Sequence, residues 1–255
     1  SLSSSLQYID VTFLDTVTSL SNLIGKNGGG PREMRYININ GDFSKITSMN
    51  YLFGNVGTIY NTEIDVSDWD VSNCTDFGGM FAYSNVIPVG YENWNVQPNA
   101  TIVSMFNSSE MERIDLSKWN INSIRYFATN CPNLKELKCP TGSWGSWEPV
   151  NFSNNPKLEE LDASMITASG MTSGIYSPGA GMFSKCNSLK KLKLPKFTGK
   201  QDFSSAFWNC YSLKEIDFTN ITPSGMRGAF HNCESLTKII MPTPPSGPFD
   251  EDTFS

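Results

Sequence analysis

Short triplets of alternating apolar and polar residues recur along most of the chain. Ile114-Asp115-Leu116, Leu192-Lys193-Leu194 and Ile216-Asp217-Phe218 are examples. A period of two is typical of a β-strand whose outer members face a core and whose middle member faces away. The copies return after about 24 residues, so a full coil of chain separates successive strands. The pattern predicts strands that stack parallel and in register. Nine such strands are predicted, beginning at Ile37, Ile64, Val89, Ile114, Leu137, Leu161, Leu192, Ile216 and Ile239.

Aromatic residues recur with the same period. Trp69, Trp94 and Trp119 lie 25 residues apart, and Trp144 continues the series. Self-similarity at a fixed period marks a solenoid, in which each unit buries its apolar face against its neighbours. We therefore expect the tryptophans to pack inside the coils. A second aromatic column consists of Phe53, Phe81, Phe106, Phe127, Phe152, Phe183, Phe207 and Phe230.

The two ends of the chain depart from the repeat. Apolar residues from Leu2 to Ile24 fall at the three- and four-residue steps of an amphipathic helix. The sequence predicts an N-terminal helical cap over residues 1–30, with an atypical first repeat as the alternative. The solenoid is predicted over residues 31–255, as one continuous domain. Phe254 falls where the next aromatic is due after Phe230, so we expect about nine repeats and a chain that ends inside a tenth.

Two groups of segments resemble known repeats. The segment from Gly228 to Ile239, Gly-Ala-Phe-His-Asn-Cys-Glu-Ser-Leu-Thr-Lys-Ile, resembles the BspA-type leucine-rich repeats of bacterial surface proteins. The segment from Ile64 to Ser72, Ile-Asp-Val-Ser-Asp-Trp-Asp-Val-Ser, resembles the related repeat of mycoplasma surface lipoproteins. The resemblance covers about residues 34–255. It implies an α/β leucine-rich-repeat solenoid of short parallel strands, turns and short helical coils. It also implies a cell-surface or secreted protein that serves as an interaction scaffold. It does not imply a substrate or a catalytic residue.

Charge and hydropathy exclude several classes of partner. The chain has 19 basic and 25 acidic residues, a net charge of −6, whereas a nucleic-acid-binding surface needs concentrated positive charge. No run of 18 apolar residues exists, so we expect no membrane insertion. No signal-peptide pattern follows Ser1, so an extracellular or cell-surface location would need a signal or anchor outside this sequence. We expect a monomer without a cofactor.

Cysteine and histidine offer little chemistry. Cys131, Cys186, Cys210 and Cys233 occupy one slot of the repeat, which predicts a column of buried free thiols. One disulfide within the column, or a metal site, is the alternative. His231 is the single histidine, so a site with two histidine ligands is excluded by count. We expect it to be a residue of a surface turn, and we assign no catalytic or metal-binding residue.

The middle residues of the triplets form the strongest candidate site, because all should project from the exposed face of the sheet. They combine carboxylates with lysines, so mutual charge pairing is the plainest role, and a binding face is the functional one. Two departures from the period add exposed aromatic candidates: Trp147, and Tyr176 in the insertion before Leu192. The middle residues are Asn38, Asp65, Gly90, Asp115, Lys138, Asp162, Lys193, Asp217 and Ile240.

The sequence therefore predicts a non-enzymatic binding or adhesion scaffold. Its expected partner is a protein or glycan of a host or neighbouring cell, bound through the exposed sheet face and the adjoining loops. The predicted binding residues are Asp65, Asp115, Lys138, Asp162, Lys193, Asp217, Trp147 and Tyr176. One alternative is a structural spacer that presents another domain. The other is a carbohydrate-active enzyme that uses the acidic column, since glycosidases place two carboxylates near one bond.

Overall fold

The structure is a computed structural model that describes residues 2–144, 151–169, 181–242 and 253–254. These residues form strands and turns, with two short 3-10 helices at Phe43–Lys45 and Tyr91–Asn93 and no α-helix. The expected helical coils are thus limited to single 3-10 turns. The strands are β1 Tyr8–Thr12, β2 Tyr36–Asn40, β3 Thr62–Asp65, β4 Val86–Val89, β5 Arg113–Asp115, β6 Asn120–Ile124, β7 Glu136–Lys138, β8 Thr141–Trp144, β9 Glu160–Asp162, β10 Ile166–Ala168, β11 Lys191–Lys193, β12 Lys196–Phe197, β13 Gln201–Asp202, β14 Glu215–Asp217, β15 Pro223–Gly225 and β16 Lys238–Ile240.

The chain divides into two compact units. The first comprises Ser1–Met111 and Leu116–Cys131, and the second comprises Glu112–Asp115 and Pro132–Ser255. Each is a parallel β-solenoid, as the sequence predicts. In the first unit β1 pairs with β2, and β3 with β4. In the second, β5, β7, β9 and β11 form a four-stranded sheet in that order, and β14 pairs with β16.

Each coil can hold more than the one strand that the triplet pattern predicts. In the second unit a further parallel ladder joins β8, β10 and β12, and another joins β13 and β15. In the first unit isolated parallel bridges join Ser19 to Ser48, Ser48 to Asp76 and Asp76 to Thr101. Neighbouring coils therefore satisfy each other's backbone hydrogen bonds along several sides. The extra ladders involve two or three residues per strand, too few for a clear alternation in the sequence.

Sharp turns carry the phenylalanine column. In these turns two residues four positions apart adopt positive φ, as Gly79 (59°) and Tyr83 (55°) do. A Cβ on Gly79 would lie 2.5 Å from the Tyr51 ring, so a larger residue there would require this ring to move, whereas Tyr51 and Ser104 hold the same slot of their own coils with positive φ. Phe81 lies between the two turn residues and is fully buried. The turns thus point one large ring per coil into the core.

The aromatic residues stack along the coils, as predicted. In the first unit Trp69 stacks on Trp94 and Trp94 on Trp119, with ring centroids 6.1 and 6.2 Å apart. In the second unit Phe183 stacks on Phe207 at 5.6 Å, and Phe207 on Phe230 at 5.2 Å. All of these rings are buried. Offset stacking adds about 1 kcal/mol per pair to the area that each ring buries.

The predicted N-terminal helix is wrong. Residues Tyr8–Thr12 form strand β1, which pairs residue by residue with β2. Further along, the Leu20 N–H donates to the Ser48 carbonyl at 2.9 Å, and the Gly25 N–H to the Leu52 carbonyl at 2.8 Å. This segment is an additional coil, as in the alternative of an atypical first repeat. Alternation of Tyr8, Asp10 and Thr12 with β-branched neighbours favours a strand, and backbone hydrogen bonds to β2 stabilise it.

One predicted triplet is shifted by one residue. Asp65 of β3 lies opposite Val89, not Gly90. Gly90 instead has φ of 93° and begins the 3-10 helix in which Tyr91 is buried. The apolar residues around Pro88 allow two alternating patterns, and the sequence cannot choose between them. A shift of one residue exchanges the inward and outward faces of a strand.

Candidate binding surface

Four predicted site residues form one continuous column in the second unit. Asp115 lies opposite Lys138, Lys138 opposite Asp162, and Asp162 opposite Lys193, on β5, β7, β9 and β11. Their apolar neighbours Ile114, Leu137 and Leu161 face the core and are buried. The period-two pattern of the strands therefore places the charged side chains together on the exposed face, as predicted.

The charges in this column neutralise one another. Lys138 Nζ lies 2.9 Å from Asp115 Oδ2, and Lys193 Nζ lies 2.7 Å from Asp162 Oδ2. Exposed ion pairs of this kind contribute up to about 1 kcal/mol each, so they align the strands more than they stabilise the fold. Two rows beside the column repeat the pattern, through the pairs Lys191 with Glu160, Arg113 with Glu136, Lys190 with Glu159 and Lys135 with Glu112.

The aspartates also close the turns that follow their strands. Asp162 Oδ1 accepts the Ser164 N–H at 3.0 Å and the Ser164 hydroxyl at 2.5 Å. Asp217 Oδ1 does the same with Thr219, at 2.8 and 2.5 Å. Asp65 accepts the Ser67 N–H at 2.9 Å. These residues therefore have a structural role, and the signal for it in the sequence is an aspartate followed two positions later by serine or threonine.

The same contacts favour ionised carboxylates. Burial opposes the charged form of Asp162, but hydrogen bonds from Lys193 and Ser164 outweigh it and hold its pKa below the ordinary value. The Thr219 hydroxyl and N–H likewise lower the pKa of Asp217, and the Ser67 hydroxyl and N–H lower that of Asp65. A glycosidase needs one carboxyl group with a raised pKa to act as general acid. These aspartates are shifted in the opposite direction.

A groove gathers three of the predicted residues. Between β11 and β14 the described strands pack together without ladder pairing, and a groove of about 330 Å³ opens on the face. Asp162, Lys193 and Asp217 line it. Leu192 and Ile240, both half-buried, give it apolar surface, and further charged side chains come from Glu160, Lys191 and Glu215. An apolar surface with a few convergent charges is the usual composition of a binding site.

The remaining predicted site residues are elsewhere. Asp65 lies on β3 of the first unit, where its side chain is exposed. Trp147 and Tyr176 fall outside the described residues. Asp217 lies opposite Ile240, so its column ends in an apolar residue.

The cysteine column is a set of buried thiol donors. The thiol of Cys186 donates to the Phe152 carbonyl at 3.3 Å, and that of Cys210 to the Phe183 carbonyl at 3.1 Å. Cys131 and Cys233 make the corresponding bonds to Phe106 and Phe207 at 3.1 and 3.2 Å. All six cysteines are free. Burial raises the pKa of Cys131, Cys186 and Cys233 to about 12, so these thiols are protonated and poor nucleophiles.

His231 lies in the turn position that the sequence predicts. Its ring stacks on Trp208 of the preceding coil, with centroids 3.8 Å apart. Among the described ranges no three cysteine, histidine or acidic side chains are grouped closely enough to hold a metal ion. His231 therefore has a packing role.

Sequence reasoning missed an aromatic surface in the first unit. Tyr8 of β1 and Tyr36 of β2 lie directly opposite each other and are 66% and 49% exposed. Beside them the guanidinium carbon of Arg35 lies 3.7 Å from the centre of the Tyr60 ring. The signal was present, because Tyr8-Ile9-Asp10 has the same alternation as Tyr36-Ile37-Asn38. The helical spacing of the apolar residues within 1–30 competes with this alternation and favours a helix instead.

Comparisons with known proteins agree with the fold. Residues 31–144 match the family model described as a Mycoplasma protein of unknown function, DUF285. Residues 165–254 match the BspA-type leucine-rich-repeat region in six copies. No curated protein and no solved structure matches the chain. Within the part of the chain that the structure describes, no helix is long and apolar enough to cross a membrane. The two family matches, together with the parallel coils, show that the second half of the chain carries BspA-type leucine-rich repeats and that its first half is similar to the Mycoplasma DUF285 family.

Proposed function

We propose that the protein is a non-enzymatic binding scaffold, exposed at a cell surface or secreted, that engages a protein or glycan through its exposed strand faces. The groove between β11 and β14 is the observation that carries this proposal. It combines apolar surface from Leu192 and Ile240 with charges of both signs from Asp162, Lys193 and Asp217. BspA-type and Mycoplasma repeats support a surface location.

A spacer that presents another domain is the rival function. The ion pairs along β5, β7, β9 and β11 favour a spacer, because charges that are already paired within the sheet do not require a binding partner. The arrangement at the groove is different. Lys193 and Asp217 occupy the same position on β11 and β14, but no strand pairing joins these two described strands. A partner would therefore find accessible charge and apolar surface together at this place.

A binding screen with matched variants tests the proposal. The purified chain is screened against a panel of extracellular-matrix proteins, serum proteins and surface glycans. Lys193→Glu reverses an ion-paired charge that lines the groove, and Lys135→Glu reverses an exposed, ion-paired charge outside the groove lining. We expect a panel member to bind, and its affinity to fall about tenfold with Lys193→Glu and little with Lys135→Glu. If no panel member binds, the proposed scaffold function is contradicted. If both variants weaken binding equally, the groove is not the binding site.

A further inference from the structure

The exposed strand face of the first unit differs in charge from that of the second. Strands β1 to β4 read Tyr-Ile-Asp-Val-Thr, Tyr-Ile-Asn-Ile-Asn, Thr-Glu-Ile-Asp and Val-Ile-Pro-Val. They carry carboxylates at Asp10, Glu63 and Asp65 and no lysine or arginine. In the second unit most strand acids have a basic counterpart on the next strand. Arg35, which directly precedes β2 and lies over the Tyr60 ring, is the cation beside the face of β1 to β3, so the three carboxylates leave this face with an excess of negative charge.

Hydrogen bonds hold two of these carboxylates in place without cancelling their charge. Asp10 accepts the Asn38 side-chain amide at 3.1 Å, and Asp65 accepts the Ser67 N–H. Glu63 is exposed and forms no ion pair with any residue that the structure describes. Neutral donors leave the full negative charge available to a partner.

Tyrosines supply the second component of this face. Tyr8 and Tyr36 project from adjacent strands, and Tyr60 lies beside them with Arg35 over its ring. All three tyrosines are at least 36% exposed. An arginine or lysine within about 6 Å of an aromatic centroid is attracted by the ring. Arg35 and Tyr60 show that this contact forms on the surface itself.

The spacing of the groups fits an extended chain. Tyr8 and Asp10 are two residues apart on β1, and Glu63 and Asp65 are two apart on β3, so each pair is separated by about 6.6 Å along its strand. An extended peptide presents alternate side chains with the same repeat. Basic side chains at every second position would therefore meet the carboxylates and rings in register.

We propose that the face formed by Tyr8, Tyr36, Tyr60, Asp10, Glu63 and Asp65 binds an extended lysine- or arginine-rich segment of a partner protein. The inference rests on the proposed binding function and adds to it a second surface, on the first unit, with its own partner class. Charge favours this occupant, because an acidic glycan or a nucleic acid would be repelled, and a neutral sugar could hydrogen-bond to the carboxylates without neutralising their charge. The tyrosines add cation–π contacts to the ion pairs.

The test uses the full chain and a fluorescent peptide of alternating lysine and serine, with alternating glutamate and serine as the control peptide. Glu63→Lys and Glu112→Lys change the net charge equally, but Glu112 lies in the second unit and outside the groove lining. We expect Glu63→Lys to weaken binding of the lysine peptide about tenfold and Glu112→Lys to have less than about a twofold effect. Equal effects would mean attraction by net charge alone and would overturn the proposal.

A neutral pair of variants isolates the aromatic contribution. Tyr36→Ala removes a ring of the face, whereas Tyr83→Ala removes a similarly exposed ring from a turn. Binding should weaken several-fold with the first and remain unchanged with the second, with thermal unfolding showing that both variants fold. If neither Tyr36→Ala nor Glu63→Lys weakens binding of the lysine peptide, the proposed site is wrong. If a panel member still binds such a chain, the scaffold function stands and this partner class alone is wrong.

Discussion

Lys193 Nζ lies 2.7 Å from Asp162 Oδ2, across the adjacent strands β11 and β9, while the other oxygen of the same carboxylate accepts the N–H and hydroxyl of Ser164. One aspartate therefore joins two coils and closes the turn of its own coil. Asp217 repeats the turn contact with Thr219. The charged column thus has a structural role besides any binding role, and the two can be separated by mutation.

Removal of the two partners should have unequal effects on stability. Asp162→Ala removes the ion pair and both turn hydrogen bonds, so we expect it to lower the free energy of unfolding by about 1 kcal/mol. Lys193→Ala removes the exposed ion pair alone and should cost about 0.5 kcal/mol or less. Urea unfolding at neutral pH measures both. Equal losses would show that the turn hydrogen bonds contribute nothing.

Stability should decrease in acid because of these carboxylates. The pKa values of Asp162 and Asp217 are lowered in the folded protein from 3.8, so the unfolded chain binds protons more readily. Their contribution is complete above that value and disappears as the pH falls through the lower, folded pKa. Urea midpoints between neutral pH and about pH 3 should fall less in the double variant Asp162→Asn, Asp217→Asn than in the unmodified chain. An unchanged fall would contradict the assignment.

The sequence determines the charged column because its alternation is unambiguous. In Leu161-Asp162-Ala163 the polar residue stands between two apolar ones, so its direction is fixed once the flanking residues face the core. Around Pro88 the residues are apolar on both sides, and the register of β4 could not be read. The turn contacts of Asp162 and Asp217 are also predictable, from Ser164 and Thr219 two positions later. Charge pairing with the interleaved lysines is the more evident pattern in the sequence.

Truncation within the phenylalanine column should depend on burial. Phe207 is fully buried and stacks on Phe183 and Phe230, so Phe207→Ala should cost about 3 to 5 kcal/mol through lost contacts and a cavity. Phe254 stacks on Phe230 at 5.7 Å but is 58% exposed. Phe254→Ala should therefore cost less than about 1 kcal/mol. Thermal unfolding compares the two, and a small effect of Phe207→Ala would contradict the stacked interior.

Thiol reactivity should separate the native and unfolded protein. Cys131, Cys186 and Cys210 are buried with raised pKa values, so native protein at pH 8 should resist alkylation there. Cys233 is less buried and should react first. Mass spectrometry after labelling identifies the sites. Denatured, unreduced protein should then label all six cysteines, and a smaller number would reveal a disulfide and refute the column of free thiols.

The N-terminal segment shows how two periods can coexist in one sequence. Phe13, Leu20 and Ile24 are buried and match the helical spacing, yet they lie in the loops and turns that follow strand β1. Neighbouring coils decide the outcome, because β2 offers backbone partners to Tyr8–Thr12 that an isolated segment lacks. Tertiary pairing of this kind overrides local spacing. It also created the tyrosine face, since Tyr8 and Tyr36 meet only when β1 exists.

Hydrogen–deuterium exchange with a bound panel member locates the binding surface on the protein. The partner should slow exchange in segments that include Glu160–Asp162, Lys191–Lys193 and Glu215–Asp217, which line the groove. The turns that carry Phe183 and Phe207 should exchange as they do in the free chain. Protection confined to those turns, with the groove strands unchanged, would contradict binding through the exposed strand faces.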